Sequence, residues 1–127
     1  MGKISYLIDI KLPTLNEYIN LERTNRYAAA ALKKKYTNYC AIYANNVQSL
    51  EGLYDIVLDW ETANNREDPD NLYFGIKFIL DGLIKVQKNG FKDGRKNIRR
   101  IYHNIKTTGK FQVTVNLIEI RGTSNAV

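Results

Sequence analysis

Tyr54-Asp55-Ile56-Val57-Leu58-Asp59-Trp60-Glu61-Thr62 alternates apolar and polar side chains, and soon after it Asp68-Pro69-Asp70-Asn71 opens a helix. The first run has the period of a half-buried strand, with Tyr54, Ile56, Leu58 and Trp60 on one face. Between the two lies a polar loop, Asn64-Asn65-Arg66-Glu67. Asp68 suits the N-cap and Pro69 the first helical position. The helix is expected to run to about Val86, with Leu72, Ile76, Ile79, Leu80, Leu83 and Val86 as its apolar stripe.

Working outward, Ile4 to Leu12 alternates and reads as a first strand, which Pro13 ends. Thr14 and Glu17 have capping-box spacing. Helical pattern follows from about Leu15 to Gln48, with room for a break. Tyr36, Tyr39, Cys40, Tyr43, Val47 and Leu50 form a stripe there that reads as core. Asn89-Gly90 and Asp93-Gly94 mark a turn-rich loop. Ile98 to Ile105 and Phe111 to Ile120 read as two further strands, and Thr107-Thr108-Gly109 between them suits a hairpin turn. The order β-α-β-α-β-β implies an α+β fold in two layers, a small mixed sheet with two helices packed on it. One domain is expected over residues 1–121, with residues 122–127 a disordered tail.

The 127 residues are 44% hydrophobic, enough for a core without disulfides or a structural metal. Cys40 is the lone cysteine, so no internal disulfide and no multi-cysteine zinc site can form. Neither a signal peptide nor an apolar stretch of membrane-spanning length is evident, and a cytoplasmic location with no membrane partner is expected.

Net charge is +6, and it is unevenly distributed. Glu51 to Asp70 holds seven acids and one base, Arg66, whereas Lys85 to Lys110 holds nine bases and one acid, Asp93. Such a division fits a divalent cation held by carboxylates and a polyanion held by bases. It also fits an unevenly charged solvated surface.

Capping accounts for Asp68 but not for the crowding of Glu67, Asp68 and Asp70, which a cation would relieve. Mg²⁺ takes oxygen ligands and suits Asp68 and Asp70. Lys77 lies two helical turns beyond Asp70, on the same face, and its side chain leans back toward the acidic end. Its alternative role is an ion pair with Asp81. Asp93 is either a third carboxylate or an ordinary Asp-Gly turn residue. Lys33, Lys34 and Lys35 in the first helical region, and Arg95, Lys96, Arg99 and Arg100 around the start of the third strand, are candidate phosphate contacts. His103 reads as structural or phosphate-facing rather than catalytic.

Three segments together resemble the RusA-type Holliday junction endonucleases, in the branch carried by phages and prophages of Gram-positive bacteria. They are Asp68-Pro69-Asp70-Asn71, the run Lys77-Phe78-Ile79-Leu80-Asp81-Gly82-Leu83, and Asp93-Gly94 before Lys96-Asn97-Ile98. Leu12-Pro13-Thr14-Leu15-Asn16-Glu17-Tyr18 and Asn25-Arg26-Tyr27 with Lys33-Lys34-Lys35-Tyr36 are also like that branch. The resemblance spans about Leu12 to Ile120. It implies a homodimer in a bacterial host cell that resolves four-way DNA junctions by Mg²⁺-dependent phosphodiester hydrolysis. Asp68, Asp70 and Asp93 would hold the metal, Lys77 would assist catalysis, and Asn71 and Asp81 would support the site. Phe74 stands where better-known members carry the lysine, and Lys92 precedes Asp93 where they often carry a second aspartate. The alternatives are a non-catalytic nucleic-acid-binding protein, a nuclease for other branched DNA, and a dimer with a purely structural role.

Overall fold

The computed structural model describes residues 2–120, so the expected tail, residues 122–127, lies outside the described residues. The elements are β1 (Lys3–Ile8), α1 (Leu15–Thr24), α2 (Arg26–Tyr43), β2 (Tyr54–Thr62), α3 (Pro69–Tyr73), α4 (Ile76–Lys85), β3 (Ile98–Thr107) and β4 (Gln112–Glu119). The fold is α+β: a four-stranded mixed sheet carries the helices on one face.

Each of the two expected helical stretches is divided. Asn25 divides the first. Its backbone is extended, with φ −161° and ψ 95°, and its Oδ1 accepts from the N–H groups of Tyr27 and Ala28, so the residue that closes α1 also caps α2. Asparagine competes well for orphan N–H groups at a helix start, which makes it an effective divider. Thr14 and Glu17 form the expected capping box at α1. Phe74 and Gly75 divide the second stretch. A Cβ at Gly75 would lie 3.0 Å from the Trp60 ring and 3.1 Å from Leu12, so glycine there lets the chain lie against the sheet. Asp68 occupies the N-cap of α3, but its side chain makes no capping hydrogen bond.

The sheet order is β1-β4-β2-β3. β2 runs parallel to β3, and β4 runs antiparallel to both β1 and β2. The parallel pair needs a long crossover, which α3 and α4 supply. The expected hairpin between β3 and β4 does not form, because β2 lies between these strands. Residues 108–111 instead cross the end of β2, where the Thr62 carbonyl accepts from the N–H groups of Thr108 (2.9 Å) and Gly109 (3.2 Å). Gly109 has φ 90°, a conformation that glycine adopts without steric cost.

Period-2 alternation sorts the sheet into two faces. Ile56, Leu58 and Trp60 of β2, Val113, Val115 and Leu117 of β4, and Ile8 of β1 meet Cys40, Leu72, Phe78, Ile79 and Leu83 from the helices. In the aromatic stripe Cys40, Val47 and Leu50 are buried, Tyr36 and Tyr43 pack against the core, and Tyr39 stays exposed. Val47 and Leu50 lie beyond the end of α2. α2 and α4 approach unusually closely: a Cβ on Gly82 would fall 2.6 Å from the Cys40 Cβ and 2.7 Å from the Ala41 backbone nitrogen. Among the described residues no helix is long and apolar enough to cross a membrane.

Candidate nucleic-acid interface

The acid-rich stretch is divided by the alternation of β2. Asp55, Asp59 and Glu61 project to the sheet face away from the helices, apart from the α3 start. There they are engaged by neighbours rather than left to attract a cation. Arg99 grips Asp55 with two bonds, Nε to Oδ1 at 3.0 Å and Nη2 to Oδ2 at 2.7 Å. This pairing with a guanidinium holds the Asp55 carboxyl below the usual range. Asn104 and Asn116 donate to Asp59, and Gln112 donates to Glu61. Ser5 donates to Asn116, so hydrogen bonds link all four strands across this face.

At the start of α3, Asp68 and Asp70 are exposed. Asp70 Oδ1 accepts from the Asn71 backbone N–H. Asn71, expected only to support the site, is buried and acts as a tie. Its Oδ1 accepts from the Asn16 N–H at 2.8 Å, and its Nδ2 donates to Glu67. The α1 start, the polar loop and the α3 start thereby form one unit, and the Glu67 carboxylate has a donor. Crowding of like charges at this junction is met partly by a neutral side chain.

Asp93 is not brought to Asp68 and Asp70 within the chain. The parallel pairing of β2 and β3 places the loop before Ile98 beside Tyr54, where Asn97 bonds the Gly52 carbonyl through Nδ2 and accepts from the Tyr54 N–H through its own carbonyl. Asp68 and Asp70 follow the other end of β2. A nine-residue strand extends roughly 27 Å between these ends. Among the described residues no three His, Cys, Asp or Glu side chains are gathered closely enough to hold a metal ion.

Lys77 makes no ion pair with Asp81. It lines a small cleft with Lys33, Tyr18, Phe74 and Phe78. Three consecutive lysines on a helix point in different directions, about 100° apart. Lys35 accordingly lies over the rings of Tyr36 and Tyr39, at 5.6 and 5.8 Å, away from Lys33. Lys34 is exposed.

Arg95, Lys96 and Arg100 are exposed at the β3 entry, whereas Arg99 is committed to Asp55. Of the nine bases from Lys85 to Lys110, Arg99 is the one in an ion pair among the described residues; the other eight are exposed. His103 is half-buried on β3. Its Nδ1 accepts from the Trp60 indole N–H at 2.8 Å, and Tyr73 stacks on its ring at 4.1 Å. Burial lowers its pKa below the ordinary histidine value. Burial likewise pushes the Cys40 thiol up to about 12, which removes it as a nucleophile at neutral pH. The stacked Trp60–His103–Tyr73 group was not expected, because its three members are distant in sequence and share no motif.

This surface is therefore a cationic one whose carboxylates are mostly occupied or set apart. The chain is similar to the large ribosomal subunit protein bL9 of Chlamydia pneumoniae. The two are 27% identical over 114 residues, which is 90% of this chain and 66% of that protein. The chain thus spans a little under two thirds of the relative's length. No family model matches the chain.

The likeness to a protein of the large ribosomal subunit overturns the resemblance to the RusA endonucleases. Four-way junction resolution, phosphodiester hydrolysis and the other branched-DNA nuclease reading fall with that resemblance. So do the branched-DNA partner and the homodimer inferred from it. The residues that carried the resemblance have local structural work visible in the fold. Asn71 ties two helix starts, Gly82 admits α2 against α4, and Asn97 joins the loop to β2.

Proposed function

We propose that the protein binds RNA without catalysing a reaction on it, and that its setting is ribosomal. The observation that carries this reading is the stretch Lys85 to Lys110, where eight exposed bases stand outside any ion pair among the described residues and Asp93 is the single acid. Such side chains neutralise phosphates and fix position on a nucleic acid without reading its sequence. The similarity to a large-subunit ribosomal protein favours RNA over DNA as the polyanion. Arg95, Lys96 and Arg100 would make the first contacts, with Lys33 and Lys34 adding a second set on the helix layer. Asp68 and Asp70, exposed at the start of α3, would be the residues to hold a hydrated Mg²⁺, which would supply positive charge for a phosphate.

The test is fluorescence anisotropy with a transcribed fragment of large-subunit ribosomal RNA and a duplex DNA of equal length. The RNA should bind more tightly. Log affinity should fall linearly with log salt, with a slope of about −2 or steeper if three or more phosphates are neutralised. Equal or tighter binding of the duplex DNA, or no RNA binding at low salt, refutes the reading.

A further inference from the structure

Lys33 and Lys77 come from different helices, α2 and α4, yet line one cleft of about 70 Å³. Its remaining walls are Tyr18, Phe74 and Phe78. The rings pack together, Tyr18 to Phe74 at 5.4 Å and Phe74 to Phe78 at 5.7 Å in a T-shaped arrangement. No carboxylate lines the cleft, and neither lysine is in an ion pair among the described residues. The two lysines bring like charge to one apolar wall, and the wall lowers the local dielectric, which strengthens whatever charge interaction occurs there. An anion between them would offset that like charge. Tyr18, which lines the same cleft, brings a neutral hydroxyl donor to it.

We propose that Lys33 and Lys77 form a two-lysine clamp for a single phosphate group. The cleft has room for a tetrahedral oxyanion beside the two lysines. The inference rests on the RNA-binding reading for its source of phosphate, a backbone phosphodiester whose sugar or base lies over the exposed ring edges. A free phosphate would satisfy the same chemistry.

Two measurements on the full chain separate these matters. In the first, inorganic phosphate is titrated while the NMR signals of Lys33, Lys77 and the Phe74 ring are followed. They should move together along one binding curve, and Lys33→Gln or Lys77→Gln should abolish the response while leaving the melting temperature close to the parent's. Unmoved signals in the parent overturn the clamp. In the second, a twelve-residue oligouridylate is bound by the parent, the two single variants and the double variant. One shared phosphate predicts that each single variant loses about three- to tenfold in affinity and that the double variant loses no more than the weaker single. Its salt slope should become shallower by about 0.7, the value for one single-strand phosphate. Multiplying losses, with a slope change of about 1.4, would mean two separate contacts and overturn the clamp. A phosphate response with oligouridylate affinity unchanged by the variants overturns the backbone as the source. If the parent binds phosphate but no RNA, the RNA-binding reading falls while the clamp stands.

Discussion

His103 shows how one residue's surroundings decide its chemistry. Its Nδ1 can accept from the Trp60 N–H only while that nitrogen is unprotonated, and burial beside Trp60 and Tyr73 disfavours the charged ring. A depressed pKa in the folded state means that the unfolded chain takes up the proton first. Stability from this group is therefore present above the unfolded value, about 6.5. It is lost as pH falls from there toward the lower folded value. Thermal unfolding followed by tryptophan fluorescence should show a decline in melting temperature between about pH 6.5 and pH 5. His103→Gln should flatten the decline over that interval. An unchanged pH profile in the variant would show that other groups dominate this interval. Lys77 offers a second contrast at this scale. Helical spacing pointed it at Asp70 or Asp81, and the neighbouring helix supplied Lys33 instead.

The pairing of α2 with α4 depends on one missing side chain. Gly82 is buried in the middle of α4, where glycine costs roughly 1 kcal/mol of helix propensity against alanine. The fold tolerates that cost because a Cβ would strike Cys40 and the Ala41 backbone at 2.6–2.8 Å. Two of the three nearest atoms are main chain, so the helices must separate rather than a side chain turning aside. Gly82→Ala should gain propensity yet lose overall, by about 1–2 kcal/mol, as overpacking costs outweigh it. Chemical denaturation checks this, and a stabilised variant would mean that the helices part easily. The α1–α2 boundary has a different origin. Asn25 carries its own signal, a side chain suited to N–H groups, but the helical pattern over residues 15–48 left room for a break without placing it there. The Phe74–Gly75 break was less legible, because its cause is the Trp60 ring on another element.

Across the whole molecule five of the bases argued to meet phosphate occupy two regions. Lys33 and Lys77 lie near the start of α4, and Arg95, Lys96 and Arg100 lie by the entry to β3, beyond the far end of α4. The ten residues of α4 alone separate these regions by roughly 14 Å along its axis. An RNA strand touching both must cross the molecule. The triple variant Arg95→Gln, Lys96→Gln and Arg100→Gln should keep the melting temperature within a few degrees, since all three side chains are exposed and unpaired with acids. Its RNA affinity at low salt should fall by ten- to a hundredfold, with a shallower salt slope. Retained affinity and slope would place the RNA contacts elsewhere.

Local periodicity and capping chemistry were enough to fix the α+β class, the four strands, the Thr14–Glu17 capping box and most of the core, because each depends on neighbours a few residues away. Charge sequence likewise marked the basic stretch from Lys85 to Lys110. The tertiary structure alone decided which strands pair. It inserted β2 between β3 and β4, so a segment with turn composition became a crossing instead of a hairpin. The same strand order set Asp93 at the opposite end of β2 from Asp68 and Asp70, dividing carboxylates that motif spacing had grouped. It also bound Arg99 to Asp55 and brought Lys33 to Lys77. These relations span tens of residues. They follow from strand pairing and helix packing, which local spacing along the chain does not encode.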